Sequence, residues 1–521
     1  MQKSFRFLLC LTTLAMPLSL AAAIPQPVRT ANGPVAGVTA ADGAIAIFKG
    51  IPFAAPPLGE LRWRAPAPPV SWTAVRKADQ FSASCIQNIV PERKPWTYEF
   101  MAHNQISEDC LYLNVWTPAK AAGDKLPVYF WIHGGGYVEG STAVPAYDGA
   151  NLAKRGAVVV TINYRLGVLG FLAHPELTKE SGRSSNYGSL DMVAALQWVQ
   201  KNIAAFGGDP GKVTISGQSA GASGVHTLVA SPLAKGLFHR AITESGSAYS
   251  AANAALTLAD AEKQGVKFAT AKGATSLKDL RAMSPEKLTG SGAGSEIRFR
   301  PVIDGYFLPD EPNAIFAQGK QNDVPELTGL TRDERSSEAD YGTKPMAEFQ
   351  KAMQERYGEM AGTFFKLYAN NTQQESGDSQ KAAFRDAGLV SMHMWAQLRE
   401  QTAKQKAFTY YWTQPMPGPD SARYGAFHTS EVPYVFNTLD QAKRPWTDQD
   451  HKLSDLLGSY WINFMKNGDP NGSGLPAWPA YTSKSAVTME IGEKTGARPV
   501  ADKARMEFWE SYFKRPSAIV R

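Results

Sequence analysis

The chain has 521 residues, 43% of them hydrophobic and 20% charged, with 12 Trp, 19 Tyr and 24 Phe. That is material for a sizeable core, and it excludes a disordered chain. The 45 Gly and 34 Pro follow no Gly-X-Y period, which excludes collagen, and a formal charge of +6 with no extended basic run gives no reason to expect a nucleic-acid partner.

Lys3 and Arg6 precede an apolar run from Phe7 to Leu20 that ends in Ala21-Ala22-Ala23. A charged start, a short apolar stretch and small residues at a cleavage point form a secretory signal. Residues 1–23 are therefore expected to be removed after Ala23, leaving 24–521 as a secreted or periplasmic protein. Thr12, Thr13 and Pro17 interrupt the run, which is short for a membrane span of roughly 20 residues. Leu9 before Cys10 argues against a lipid-anchored cysteine, and no other stretch is long and apolar enough to anchor the chain. Cleavage leaves Cys85 and Cys110, which in an oxidising compartment most simply pair. The bridge would close a loop of about 25 residues and contribute roughly 3 kcal/mol. Neither cysteine belongs to a C-x-x-C or a His/Cys cluster, so zinc and redox catalysis have little support.

Val28 to Phe53, with turns at Asn32-Gly33-Pro34 and Asp42-Gly43, predicts antiparallel edge strands. Val128–Ile132, Val158–Ile162 and Val213–Ser216 are short runs rich in β-branched and aromatic residues, as expected for strands covered on both faces. Leu190 to Phe206 carries Val193, Leu196, Trp198, Val199 and Ile203 at helical spacing. Further helices are predicted from about Lys381 to Lys406 and from about Asp448 to Lys466. The alternation predicts an α/β fold with a mainly parallel sheet, and the absence of repeats or a linker predicts one large domain with insertions.

The chemistry lies at the exit of the third strand. Gly217-Gln218-Ser219-Ala220-Gly221 follows Val213–Ser216 and precedes a helix-compatible stretch, Ala222 to Ala230. A serine on a tight strand-to-helix turn holds its hydroxyl above the sheet, and the crowded turn demands small neighbours. Gly-x-Ser-x-Gly alone is a weak pattern, but it occurs once here, in the context the mechanism requires. A nucleophilic serine needs a base, and in this arrangement the partners follow in the order serine, acid, histidine. His226 lies on the turn's own helix, and His239 comes before any further strand could carry an acid. His393 and His451 fall inside helical stretches. His428 follows a strand-like run, Phe408 to Trp412, and a loop rich in Pro, Gly and Asp, and is the leading base. The acid should follow a strand between Ser219 and His428. Leu327–Thr331 ends in Arg332-Asp333-Glu334-Arg335, so either Asp333 or Glu334 could orient the imidazole. His133-Gly134-Gly135-Gly136 directly follows Ile132, and glycines there let backbone N–H groups approach a reacting carbonyl.

These motifs, with Phe48–Ala54, Glu108–Val115, Asn163–Gly167 and Phe206–Pro210, resemble the type-B carboxylesterases. That α/β-hydrolase family includes cholinesterases, para-nitrobenzyl esterases and related lipases. The resemblance implies Ser219 as nucleophile and Gly135, Gly136 and Ala220 as oxyanion donors. It also implies Glu334 rather than Asp333 as the acid, His428 within Gly425–Glu431 as the base, and a Cys85–Cys110 disulfide. The sequence departs from the family at Gln218, where Glu is frequent, at Thr331 in place of Asn, at Arg335 in place of Gly, and at Met192 in place of Gln. Arg93 and Lys94 in the loop between the cysteines would oppose a quaternary ammonium substrate, so a cholinesterase is not expected.

The expected reaction is hydrolysis of a small-molecule carboxylic ester through an acyl-enzyme, with no metal or organic cofactor. Hydrolysis of an amide, carbamate or lactone on the same three residues is the alternative, as is a non-catalytic binding module, which would be expected to have lost one of them. Gly207–Lys212 resembles a phosphate loop only superficially, because Val213 stands where Ser or Thr belongs. Trp96, Tyr98, Phe100 and Tyr137 point to an apolar or aromatic ester.

Overall fold

The computed structural model describes residues 23–246 and 255–515. All but the last residue of the expected signal lies outside them. A central sheet is formed by β1 (Val38–Thr39), β2 (Ala46–Pro52), β3 (Tyr112–Thr117), β4 (Leu126–Ile132), β5 (Val158–Ile162), β6 (Gly208–Gln218), β7 (Arg240–Glu244), β8 (Glu326–Thr331), β9 (Ala407–Trp412), β10 (Val487–Ile491) and β11 (Gly496–Pro499). Its order is β11-β10-β9-β8-β7-β6-β4-β5-β3-β2-β1. From β4 to β10 every neighbouring pair is parallel, and the strands at both edges are antiparallel. The expected α/β-hydrolase fold is present.

Burial on both faces explains why the central strands read as unbroken apolar runs. Val128, Phe130 and Ile132 of β4 pack into one core with Leu196 and Val199 of α1 (Tyr187–Asn202) and Val225 and Leu228 of α2 (Ala220–Ala230). Tyr129 and Trp131, pointing the other way, join a second core with Leu453, Leu457 and Trp461 of α5 (Asp448–Asn467). Two further helices, α3 (Met346–Tyr357) and α4 (Gln373–Thr402), and the late α6 (Lys503–Phe513) build a third apolar cluster beside the ends of β8 and β9.

Two boundaries differ most from the sequence expectation. β6 reaches back to Gly208 because the polar stretch before Val213 still pairs, with Gly208 opposite Leu126. α4 begins at Gln373 rather than near Lys381, because Thr372 caps it by accepting from the Glu375 N–H at 3.1 Å. Its first turns are polar and carry no apolar period.

Cys85 and Cys110 are disulfide-bonded. Buried ion pairs fix loops in place: Arg165 binds Asp191 of α1 through Nε at 2.8 Å and Nη2 at 2.7 Å, and Arg62 holds Glu108. Breaking one such partner strands a buried charge, which typically costs about 3–5 kcal/mol. Replacing both cysteines by alanine is expected to lower the unfolding free energy by roughly 3 kcal/mol. Thermal unfolding with and without reductant checks this: reduction should lower the melting temperature of the native chain and leave that of the variant unchanged.

Candidate active site

The parallel strands end in register, which gathers their loops at one edge of the sheet. Ile132 at the end of β4 stands opposite Gly217, Gln218 opposite Glu244, and Glu244 opposite Gly329. Ser219, at the step from β6 to α2, has φ 57° and ψ −120°, a backbone state that non-glycine residues rarely adopt. Its N–H donates to the Glu244 carbonyl at 2.9 Å. Gly221 must lack a side chain, because a Cβ there would run into the carbonyl oxygen of Ile132.

His428 lies on the loop after β9. Its Nδ1 contacts Glu334 Oε2, and Glu334 Oε1 accepts the Thr331 N–H at 2.8 Å. Asp333, one residue earlier, faces elsewhere. It binds Arg385 and Arg332, accepts the Ala426 N–H at 3.0 Å, and pairs its backbone with the segment leading into His428. The two acids that the sequence left as alternatives thus take different places: Glu334 meets the imidazole, and Asp333 staples the acid's turn to the histidine's loop.

Every other histidine downstream of Ser219 is engaged elsewhere or remote. His226 bonds the Gly246 carbonyl at 3.1 Å, and burial drives its pKa down to about 4. His239 Nδ1 accepts the Val213 N–H at 3.3 Å. His393 is buried against Tyr481 and Glu510, and His451 is exposed on α5.

With the Nδ1 proton directed at Glu334, Nε2 of His428 is an acceptor. The group that meets it is the Gln218 amide, 3.1 Å away, and Ser219 Oγ bonds to no other described residue. Gln218 therefore stands where a serine hydroxyl would donate. Burial opposes charging of His428, but the Glu334 carboxylate outweighs it and holds the pKa above the usual imidazole value. Burial also works against the Glu334 charge, and there the imidazole, Ser245 and the Thr331 N–H prevail, holding the carboxyl below its usual value. Behind these residues burial pushes the Glu244 and Glu431 carboxyls well above the carboxylate range, so both favour the protonated form.

After β4, Gly135 and Gly136 adopt φ 104° and 63°, and with Ala220 at the start of α2 their N–H groups donate to no other described residue. Two cavities meet at Ser219 and Gly136. The smaller, about 300 Å³, is walled by Ile89, Val90, Trp96, Phe100 and Tyr147. The larger, about 750 Å³, reaches Tyr137 and runs between α3, α4 and α6. Three of the four expected aromatics therefore line a cavity. Tyr98 does not: it is 60% exposed and stacks on His103. The two loop cations are paired, Arg93 with Glu139 and Lys94 with Asp420. Trp96 also donates its indole N–H to the His428 carbonyl at 3.1 Å, a role with no local sequence signal. Among the described residues no group of three or more His, Cys, Asp or Glu could hold a metal ion.

The Carboxylesterase family model matches residues 25–509. The chain is 37% identical to a fumonisin B1 esterase of Sphingopyxis macrogoltabida over 93% of its own length and 89% of that protein. It is 34% identical to a liver carboxylesterase of Sus scrofa, covering 98% and 97% of the two chains. A para-nitrobenzyl esterase of Bacillus subtilis (strain 168) is also 34% identical, over 89% and 94%.

With His428 read as the base, which must be neutral to accept a proton, kcat/KM is expected to rise with pH through its pKa. Because that pKa lies above 6.5, the midpoint of the acid limb is expected above 6.5. Gln218→Glu sets a carboxylate beside Nε2, favours the imidazolium, and should move the midpoint up by roughly one further pH unit. The pH profiles of both proteins on one ester measure the two values.

Proposed function

The chain belongs to the carboxylesterase family and is a carboxylic ester hydrolase, and from that premise we propose that Ser219, His428 and Glu334 perform the hydrolysis in two acyl-transfer steps. Ser219 Oγ attacks the ester carbonyl carbon as His428 Nε2 takes its proton, the Gln218 amide having yielded that position. The N–H groups of Gly135, Gly136 and Ala220 hold the oxyanion, each such donor typically contributing about 3 kcal/mol. The carbon–oxygen bond to the alcohol breaks, and His428 returns the proton to the leaving oxygen. Water then attacks the acyl-enzyme by the same route, releasing the acid and restoring Ser219. Glu334 keeps the Nδ1 proton in place and stabilises the imidazolium.

The observation that carries this reading is the contact of His428 Nδ1 with Glu334, beside a strained serine at the junction of two cavities. The apolar wall of the smaller cavity supports an apolar or aromatic group on one half of the ester. Residues 24–521 are read as a single catalytic domain. Residues 1–23 are read as a cleaved signal that sends it to the periplasm or outside the cell, with support from the Cys85–Cys110 disulfide. No helix among the described residues is long and apolar enough to cross a membrane.

Ser219→Ala is expected to lower kcat on p-nitrophenyl esters by roughly 10⁶-fold. Glu334→Gln should lower it by about 10⁴-fold. Nitrophenol release by the purified proteins measures both.

A further inference from the structure

We infer that one half of the ester this enzyme cleaves carries a carboxylate, bound by an arginine wall in the larger cavity. The inference rests on the reading of Ser219 as nucleophile. Arg298, Arg300, Arg332, Arg335, Arg356 and Arg385 all line the cavity that Ser219 opens into. They come from separate parts of the chain: the segment before Val302, the turn after β8, and helices α3 and α4. The one acid in that lining is Glu334, which is committed to His428.

The counter-charges do not match this wall. Asp333 serves both Arg332 and Arg385, one carboxylate between two guanidinium groups. Glu311 and Arg300 interact electrostatically. Arg335 reaches Glu338, but their side chains are 45% and 40% exposed, so that pair is well screened. Arg356 bonds a neutral partner, the Tyr512 hydroxyl, at 3.3 Å. Arg298, an exposed side chain of the cavity lining, forms no ion pair or hydrogen bond with another described residue. Aromatic faces hold some of the guanidinium planes, with Arg335 4.8 Å from the centre of the Phe384 ring.

A neutral chain placed here would strip water from cations and return nothing. A carboxylate accepts paired hydrogen bonds from the guanidinium fork, and a cleft of one sign concentrates anions before they bind. Arg332 and Arg385 are occupied in holding Asp333, which leaves Arg298 and Arg335 as the groups best placed to select the substrate. Arg335 stands where the family motif has glycine, directly after the acid, so this departure places a cation at the mouth of the cavity.

The test compares kcat/KM for matched ester pairs that differ by one charge. On the acyl side these are p-nitrophenyl hexanoate and the mono-p-nitrophenyl ester of adipic acid. On the alcohol side they are phenyl butyrate and 4-carboxyphenyl butyrate. The native enzyme is expected to prefer the anionic member of one pair by at least about tenfold, which corresponds to roughly 1.4 kcal/mol. Arg298→Gln and Arg335→Gln should each reduce the anionic-to-neutral ratio, the double variant should abolish the preference, and Arg335→Lys should restore part of it. Using the ratio within each protein removes differences in folded fraction. Equal or better turnover of the neutral member in both pairs overturns the inference, as does a preference that survives the double variant. Failure of the native enzyme to cleave any of the four esters overturns the reading of Ser219, and this inference with it.

Discussion

The site depends on one strained residue. Ser219 holds a positive φ between a parallel strand and a helix, a conformation held by the fixed elements on either side and by the small residues Gly217, Ala220 and Gly221. Its N–H is satisfied by the carbonyl of the next strand, and Gly221 presses against the end of β4. The strain places the hydroxyl above the sheet edge. The register of β4 against β6 sets the glycine turn after Ile132 beside it. The placement of the Ser219 hydroxyl and the proximity of the Gly135 and Gly136 amides are thus one packing solution.

Around this point the protein handles charge differently on different sides. Behind the imidazole, Glu244 and Glu431 are buried deeply enough to favour their protons, and Tyr129, Trp461 and Tyr410 bond their oxygens. The carboxyl next to the imidazole, Glu334, is held ionised, because the positive partner it faces outweighs the cost of burial. In front, the larger cavity is walled by guanidinium groups. Acidic side chains placed close together therefore do not act as a block of negative charge.

Much of this was legible in the sequence where function follows local pattern. The Gly-x-Ser-x-Gly turn between a strand and a helix, the glycines after Ile132 and the late loop bearing His428 each carry a short-range requirement of residue type. The choice between Asp333 and Glu334 was not legible from the residues, because both sit on one turn and only the path of the neighbouring loop decides which meets the histidine. The family resemblance pointed to Glu334. Gln218 was visible as a departure, but its contact with His428 joins residues 210 positions apart. The arginine wall left no pattern, since its members come from segments joined only by the packing of α3, α4 and the turn after β8. Tyr98 and Trp96 looked alike in sequence, and two residues' difference on one short loop turned one to solvent and the other to the His428 backbone.

The loop closed by Cys85 and Cys110 does two things at once: it walls the smaller cavity and, through Trp96, braces the backbone of His428. Such a double duty makes drift in this segment pleiotropic. A change that reshapes the wall for a new substrate also disturbs the support under His428, so selectivity and rate would not diverge freely by changes here. The larger cavity is tied to the imidazole on its Glu334 side, whereas Arg298 on the opposite chain segment bears no such tether among the described residues. A lineage exploring new substrates would therefore meet less resistance by altering the Arg298 segment, and the disulfide-closed loop would be the conservative part of the site.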